Sequence, residues 1–185
     1  MAYVKTRGKG ARESKIYTID QFRRYKIYIT KESKLFAQPS ITGEKFVPYQ
    51  ENSRLSTINC WLKDVHRQFE ITQMFFNSYH KKINYVKKAP LFAVDILQSF
   101  APWDDISPEE ANEVAQLLVT EVFGIYIQGI IATHTDGPHI HNHILLNSVD
   151  LQGRKIHDNI STVNKLRTVS DRLCIERGLS IIESD

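Results

Sequence analysis

The chain has 185 residues, 42% of them hydrophobic and 24% charged, which predicts one domain with a substantial core. No apolar run approaches the ~18–20 residues of a transmembrane helix, and the basic start lacks a signal peptide's apolar stretch. We therefore expect neither membrane insertion nor secretion. Cys60 and Cys174 lie far apart and fit no metal-binding spacing, so we expect reduced thiols in a cytoplasmic protein.

The chain has a net charge of +3, and its positive charge is concentrated in a basic arm at residues 1–34. This arm holds ten Lys and Arg residues against three acidic residues, a net charge of +7, so the remainder sums to −4. The aromatic residues Tyr17, Phe22, Tyr25 and Tyr28 are interleaved with these charges. Cations suit phosphates and aromatic rings suit bases, which favours a nucleic-acid strand as the partner. The alternative is a solubilising terminus. The cations of the arm expected to contact DNA are Lys5, Arg7, Lys9, Arg12, Arg23, Arg24 and Lys26.

Hydrophobic periodicity and turn residues predict strands alternating with helices along the rest of the chain. Ser107 as N-cap, followed by Pro108 and Glu110, marks a helix start. The predicted elements are, in order, a strand or helix at 15–34, an irregular segment at 36–59, a helix at 61–80, a strand at 91–100, a helix from 107 to 124, strands at 125–133 and 139–149, a turn at 150–153, a short strand at 154–157, and a helix at 163–177 with Gly178 as C-cap. The predicted fold class is α+β, with an antiparallel sheet at the centre flanked by helices.

Four of the seven histidines lie within residues 134–143. His139, His141 and His143 alternate, and in a strand such residues project from one face, roughly 6.6 Å apart at Cα. Two of these rings can reach one metal ion, and His134, at the end of the preceding apolar run, could supply a third ligand. The alternative is a His-rich surface hairpin.

A cluster of neutral imidazoles without a carboxylate ligand leaves the charge of a bound metal available to an anion. Phosphate is the obvious candidate, with the metal polarising its oxygens. No Ser or Cys lies in a recognisably activated setting, so the tyrosines of the arm are better candidate nucleophiles. A tyrosine becomes competent when a cation or metal stabilises its phenolate.

Three sets of residues resemble the MobP-type mobilization relaxases of the histidine-hydrophobic-histidine endonuclease superfamily. They are ATHTDGPHIHNHILLNSV at 132–149, QSFAP at 98–102 with SPEEA at 107–111, and LRTVSDRLC at 166–174 with RGLSI at 177–181. Their order and spacing agree with that family, whereas an isolated His-x-His pair would be a weak signal.

This resemblance implies a relaxase nuclease domain over residues 1–185, with an antiparallel sheet flanked by helices. It implies an enzyme that nicks one strand of origin-of-transfer DNA through a covalent 5′-phosphotyrosine, which initiates mobilization. It also implies a divalent metal, Mn²⁺ or Mg²⁺, while three histidines alone would also suit Zn²⁺. The implied partners are single-stranded origin DNA, accessory mobilization proteins and a coupling protein.

The resemblance also implies roles for the clustered histidines. It makes His134, His141 and His143 the metal ligands and places His139 behind them or facing the substrate. A tight hairpin would instead place His134 opposite His139. Asp136 is expected to orient a ligand histidine by accepting its second N–H, or else to be an ordinary turn residue.

For the other catalytic positions, the family pattern of Tyr-Ile followed by a short stretch ending in Lys matches Tyr28, Ile29 and Lys34. It implies Tyr28 as the nucleophile, with Tyr25 in reserve, while both tyrosines could instead be structural. Ser99 is expected to hold DNA near the 3′ hydroxyl, or to be a plain sheet residue. Three cations of the last helix are expected either to contact phosphates or to be solvated, namely Lys165, Arg167 and Arg172.

Two other classes of protein stay open from the sequence. One is a rolling-circle replication initiator or transposase of the same superfamily, against which the segments at 166–174 and 177–181 argue. The other is a non-catalytic DNA-binding repressor that has lost its nucleophile.

Overall fold

The computed structural model describes residues 3–6, 15–35, 54–80, 91–157 and 159–181, with the backbone alone for 3–6 and 77–80. In these ranges the chain forms six strands and five helices. The strands are β1 (Tyr3–Thr6), β2 (Lys15–Ile16), β3 (Leu55–Ile58), β4 (Ala93–Ser99), β5 (Gly129–His134) and β6 (His141–Asn147). The helices are α1 (Ile19–Ile29), α2 (Glu32–Leu35), α3 (Val65–His80), α4 (Pro108–Phe123) and α5 (Ile160–Ile175).

The strands form one antiparallel sheet with β6 at its centre. Five of them follow the order β1-β4-β6-β5-β3, and β2 pairs with the first residues of β4. Helices α4 and α5 pack on one face of the sheet, and α1 and α3 pack on the other. These three layers confirm the α+β fold expected from the sequence. In the described part of the chain, no helix has the length and apolarity needed to cross a bilayer.

Successive side chains of β6 point alternately to the two faces of the sheet, as in any strand. Ile144 and Leu146 pack into the core with α4 and α5, whereas Leu145 packs into the core with α1 and α3. The histidines of β6 share the face of Leu145. The layer of α1 and α3 therefore covers the histidine side of the sheet.

Asn142 lies between the two histidines of β6 and points to the opposite face, where it is fully buried. Its Nδ2 donates to the Gln98 side chain at 3.0 Å and to the Ala111 carbonyl at 2.7 Å. Its Oδ1 accepts from the Thr133 hydroxyl at 2.6 Å. This single side chain thus ties β6 to β4, β5 and α4 directly beneath the histidines.

Asn142→Ala should therefore lower the free energy of unfolding by about 2–4 kcal/mol, because three buried polar partners lose their hydrogen bonds together. Urea denaturation of the metal-free protein measures this change. The exposed Asn164→Ala is the matched control and should change stability by no more than about 0.5 kcal/mol. Equal effects of the two substitutions would contradict this account of the network.

Asn147 closes β6 on the histidine face and ties the sheet to α3. Its Nδ2 donates to Gln128 Oε1 at 2.9 Å, and its Oδ1 accepts from Gln73 Nε2 at 2.7 Å. All three side chains are buried. This network fixes the height of α3 over the sheet.

The strongest local signals in the sequence are confirmed. Ser107 caps α4 in a capping box with Glu110, and Gly124 ends that helix with a φ of 88°. The turn at 150–153 forms with Gly153 at a φ of 82°. Helix α5 begins three residues earlier than expected, with Asn159 as its N-cap and Glu176 rather than Gly178 as its C-cap.

Two segments differ from the expectation. Residues 55–58 form the edge strand β3, not an irregular stretch, while residues 36–53 lie outside the described ranges. Residues 154–157 form no strand and contribute one isolated bridge between Val149 and Lys155. Both are short pieces at the margin of the sheet, where tertiary pairing rather than local pattern decides the structure.

The segment at 15–34, which the sequence left as strand or helix, is mostly helical. Thr18 and Gln21 form a capping box at the start of α1, a signal that could have decided the matter. Phe22 is fully buried, with its ring 5.2 Å from that of Phe69 and 5.4 Å from that of Phe92. Phe22 is therefore a core residue and not a stacking platform for bases.

Candidate active site

Strands β5 and β6 bring three of the clustered histidines together. In their antiparallel register His134 pairs with His141, and Ala132 pairs with His143. One side-chain nitrogen from each of His134, His141 and His143 lies within 4.8 Å of the others. The alternative hairpin, with His134 opposite His139, is wrong because β6 begins only at His141.

The second nitrogen of each ring contacts another group, which fixes where the free lone pairs lie. His134 Nε2 lies 2.7 Å from the Ile29 carbonyl, and His141 Nδ1 lies 3.3 Å from the His139 carbonyl. A carbonyl only accepts, so these nitrogens carry the hydrogens and His134 Nδ1 and His141 Nε2 keep their lone pairs. His134 Nδ1 is buried without a hydrogen-bond partner. An orphaned buried acceptor beside two other imidazoles fits a metal ion.

Burial also keeps these rings neutral, as metal ligands must be. Desolvation lowers the pKa of His134 to about 4, against the partial compensation of its hydrogen bond to Ile29. Desolvation likewise lowers the pKa of His141, and the neighbouring His143 adds to the effect. Both rings therefore offer lone pairs at neutral pH without first releasing a proton.

This lowered pKa predicts an acid sensitivity of the metal-free protein. Between about pH 6.5 and the folded-state pKa of about 4, the unfolded chain holds a proton on His134 that the folded chain lacks. Stability should thus fall as the pH decreases through this window, by up to about 3 kcal/mol from this residue. The measurement is urea denaturation in chelator at several pH values, for the wild type and His134→Gln. The variant should show the shallower dependence, and parallel curves would contradict the assignment.

Tyr28 lies against this histidine cluster from α1. Its ring centroid is 6.3 Å from that of His134 and 6.1 Å from that of His143, and its side chain is 45% exposed. The ammonium of Lys34 lies 4.5 Å from the centroid of the Tyr28 ring. The structure therefore brings a solvent-accessible phenol, a cation and three imidazoles together.

Tyr25, one helical turn before Tyr28, has a different environment. Its ring stacks on that of Tyr28 with centroids 6.0 Å apart. Its hydroxyl lies 2.6 Å from Asp95 Oδ2 and 2.8 Å from His143 Nδ1, at a partly buried position. The two tyrosines of the predicted nucleophile pair are thus held differently, one open to solvent and one engaged with the sheet.

The comparisons with known proteins agree with this geometry. The family described as "Relaxase: MobA/VirD2-like, nuclease domain" matches residues 43–179, well over half of the chain. The chain belongs to this relaxase family. Helices on both faces of an antiparallel sheet and three gathered histidines are thus the framework of a relaxase nuclease domain.

Several curated proteins are similar to this chain in sequence. One Protein rlx of Staphylococcus aureus is 37% identical over 112 residues, covering 59% of this chain and 34% of the relative. Another is 29% identical over 129 residues, covering 69% of this chain and 36% of the relative. The group II intron-interrupted relaxase LtrB of Lactococcus lactis subsp. cremoris is 34% identical over 102 residues, covering 48% of this chain and 18% of LtrB. This relaxase chain therefore spans about a third or less of the length of these relatives. No solved structure matches it significantly.

The remaining predicted site residues lie around the histidine cluster of the relaxase. His139 is half-buried, with its ring 5.5 Å from that of His141, but it does not join the group of three. Ser99 ends β4 and its Cα pairs with that of His141. Asp136 differs from the expectation, because its Oδ2 accepts from Lys34 Nζ at 2.6 Å rather than from a ligand histidine.

The predicted DNA-contacting cations fall into three groups. Arg7, Lys9 and Arg12 lie outside the described residues, and Lys5 belongs to β1, whose backbone alone is described. Arg23, Arg24 and Lys26 lie on α1, in the layer that covers the histidine face. Arg23 has Asp20 3.8 Å away, and Lys26 Nζ donates to the Leu62 carbonyl. Three cations lie on α5, in the opposite layer, namely Lys165, Arg167 and Arg172.

The α5 cations are separated from the histidine cluster by the sheet. Lys165 Nζ donates to the Val122 carbonyl at the end of α4, and Arg172 pairs with Glu121 and Glu176. The structure thus gives two of them local partners and does not gather them with the other predicted site residues. Their contact with DNA stays a prediction.

Asp95 was not among the site residues expected from the sequence. It is fully buried in β4, on the histidine face, with Oδ1 3.6 Å from His143 Nδ1. The available signal was the only acidic residue of a predicted strand, among the apolar residues 91–97, since a buried charge is costly unless it has a partner. Lys34 was noted only as the end of a motif, and its place between Asp136 and Tyr28 could not be seen in the sequence.

Proposed function

We propose that this relaxase domain cuts single-stranded origin-of-transfer DNA at one specific phosphodiester, with Tyr28 as the nucleophile. The observation that carries the proposal is the position of the Tyr28 ring beside the histidine cluster, half-exposed and next to the Lys34 ammonium. Membership in the relaxase family supports the same chemistry.

The proposed step is a transesterification at one phosphodiester. The Tyr28 oxygen attacks phosphorus and loses its proton, the bond from phosphorus to the 3′ oxygen breaks, and that oxygen leaves as a hydroxyl after taking up a proton. The DNA then ends in a 3′ hydroxyl, and its 5′ phosphate is esterified to Tyr28. No bond energy is lost to water, so the reverse attack by the 3′ hydroxyl reseals the strand.

His134, His141 and His143 are the proposed ligands of a divalent metal, with one inward lone pair each. When bound, the metal would polarise the oxygens of the scissile phosphate as a Lewis acid. The family suggests Mn²⁺ or Mg²⁺, and the donor set of three imidazoles also suits Zn²⁺. His139 is proposed to support His141 through its carbonyl, and Ser99, at the same end of the sheet, to lie against the DNA.

Lys34 is proposed to stabilise the developing phenolate of Tyr28. The hydrogen bond to Asp136 raises the pKa of Lys34, against the opposing effect of burial and with a smaller upward contribution from Tyr28, so the side chain is cationic at neutral pH. Asp136 holds the ammonium in place at 2.6 Å. The ammonium lies 4.5 Å from the centroid of the Tyr28 ring, and a cation close to a phenol favours the loss of its proton.

Lys34→Met should accordingly slow formation of the covalent adduct by on the order of 10²-fold at saturating Mn²⁺, with little change in Mn²⁺ affinity. Lys34→Arg, which keeps the charge, should retain a larger share of the rate. Rapid-quench kinetics on a single-stranded oligonucleotide measures both variants. A Lys34→Met protein that reacts at the wild-type rate would contradict the assigned role.

Residues 1–185 are proposed to act as the nuclease domain, with the basic arm at 1–34 gripping the strand. Helix α1 carries both Tyr28 and the cations Arg23 and Arg24, so a strand held along α1 would pass the histidine cluster. The proposed cellular setting is cytoplasmic, with accessory mobilization proteins and a coupling protein as partners.

The proposal is tested by incubating the protein with Mn²⁺ and labelled single-stranded origin DNA, followed by denaturing electrophoresis. We expect a protein–DNA adduct that survives denaturation and a free 3′ hydroxyl on the other fragment. EDTA should prevent both products. Binding without any adduct would favour a non-catalytic repressor, and adducts on replication-origin or transposon-end DNA but not on transfer-origin DNA would favour the other members of the superfamily.

A further inference from the structure

Asp95 is a buried acid that the proposed chemistry does not use. Its side chain is fully buried in β4, and its Oδ1 has no hydrogen-bond partner among the described residues. Its polar neighbours in that part of the chain are the Tyr25 hydroxyl, 2.6 Å from Oδ2, and the His143 ring, with Nδ1 3.6 Å from Oδ1. A buried carboxylate is costly, so a position that keeps one needs a physical reason.

The direction of the hydrogen bonds around Tyr25 follows from what each group can donate. A hydroxyl has one hydrogen, and Tyr25 donates it to Asp95 Oδ2. The Tyr25 oxygen can then only accept from His143 Nδ1, which lies 2.8 Å away. His143 therefore carries its hydrogen on Nδ1 and keeps its lone pair on Nε2.

We infer that Asp95 and Tyr25 form a positioning pair that holds His143 in the tautomer and orientation required of a metal ligand. The inference rests on the proposed metal-binding role of the histidine cluster. The Asp95 carboxylate fixes the direction of the Tyr25 O–H bond. The Tyr25 oxygen in turn fixes the hydrogen of His143 on Nδ1. A hydrogen-bonded carboxylate behind a ligand histidine fixes the ring and raises its basicity, and its loss typically costs about 10–100-fold in metal affinity.

The two tyrosines of α1 therefore have different roles. The Tyr25 oxygen lies between a carboxylate and an imidazole at a partly buried position, whereas Tyr28 is 45% exposed on the open side of the cluster. Tyr25 acts through His143 and does not attack phosphorus. The sequence motif gave Tyr25 as a reserve nucleophile, and the structure gives it a distinct task.

Asp95→Asn tests the pair directly, because an amide can donate as well as accept. With asparagine at this position, Tyr25 can accept from the amide and donate to His143 Nδ1, so the tautomer is no longer fixed. The readout is ¹⁵N NMR of the His143 ring in the metal-free protein at about pH 8, above the ordinary histidine pKa. The His143→Gln spectrum assigns the signals. We expect the Nδ1–H form in the wild type and a substantial Nε2–H population in Asp95→Asn.

Mn²⁺ affinity by calorimetric titration gives a second readout. Asp95→Asn should weaken binding by about 10–100-fold, and Tyr25→Phe by about 10-fold. Asp136→Asn makes the same chemical change at the carboxylate that pairs with Lys34 and should leave both the His143 tautomer and most of the affinity unchanged. At saturating Mn²⁺, Tyr25→Phe should still form the covalent adduct.

An unchanged His143 tautomer in Asp95→Asn, in a protein that melts cooperatively, would overturn the inference. So would a Tyr25→Phe protein with wild-type Mn²⁺ affinity and no adduct, because that result would make Tyr25 the nucleophile. A wild-type protein that forms no adduct, while Asp95→Asn shifts the tautomer and weakens Mn²⁺ binding, would refute the proposed nicking and leave the positioning pair standing.

Discussion

Tyr28→Phe should abolish the covalent adduct between the protein and single-stranded origin DNA, a loss of at least about 10³-fold in the rate of its formation. The substitution removes one oxygen and keeps the ring against His134 and His143. The contacts of the ring with these two histidines, its stacking on Tyr25 and the arrangement of the histidine cluster should persist. DNA binding and Mn²⁺ affinity should therefore stay close to the wild-type values.

The matched control for this variant is Tyr17→Phe. Tyr17 is 44% exposed, close to the 45% of Tyr28, and precedes α1. Losing its hydroxyl should leave the yield of adduct unchanged. An adduct that persists in Tyr28→Phe and disappears in Tyr25→Phe would move the nucleophile three residues back along the helix.

His134→Ala should weaken Mn²⁺ binding by more than about 100-fold, a larger loss than removal of an outer hydrogen-bond partner produces. His141→Ala and His143→Ala should have effects of the same size. Each removes one of three ligands, and two imidazoles hold a divalent ion weakly. Calorimetric titration of the metal-free variants measures the loss, and each variant should also form no adduct at Mn²⁺ concentrations that saturate the wild type.

His139→Ala is the matched control, because His139 lies just before β6 and two residues from His141. Its ring lies 5.5 Å from that of His141 and lies outside the group of three, and its carbonyl, which His141 Nδ1 contacts, survives the substitution. Mn²⁺ affinity should stay within about tenfold of the wild type. A His139→Ala protein as weak in metal binding as the other three would place His139 among the ligands.

Much of the fold could be predicted because the relevant signals are local. The capping box at Ser107 and the apolar period behind it specify α4 without reference to the rest of the chain. The alternation at 139–149 specifies a strand with histidines on one face. Residues 15–34 carry a capping box as well, but tyrosines and isoleucines suit strands equally, so the pattern alone did not choose.

The site could be predicted only as far as it lies in contiguous sequence. The three histidines share one hairpin, so their meeting follows from strand geometry and the turn. The partners of those rings come from elsewhere, since Ile29 belongs to α1 and Asp95 to β4. Asp136 looked like the orienting carboxylate because it is near in sequence, yet it pairs with Lys34, 102 positions away. Such pairings depend on how helices pack over the sheet.

The central claim, that Tyr28 becomes covalently joined to the DNA, is tested most directly by mapping the adduct. Wild-type protein is incubated with Mn²⁺ and origin oligonucleotide, digested with nuclease and protease, and analysed by tandem mass spectrometry. We expect a nucleotide phosphate on Tyr28 and an unmodified Tyr25. A phosphate on Tyr25, on another residue, or on no residue of a protein that has cut its DNA would contradict it.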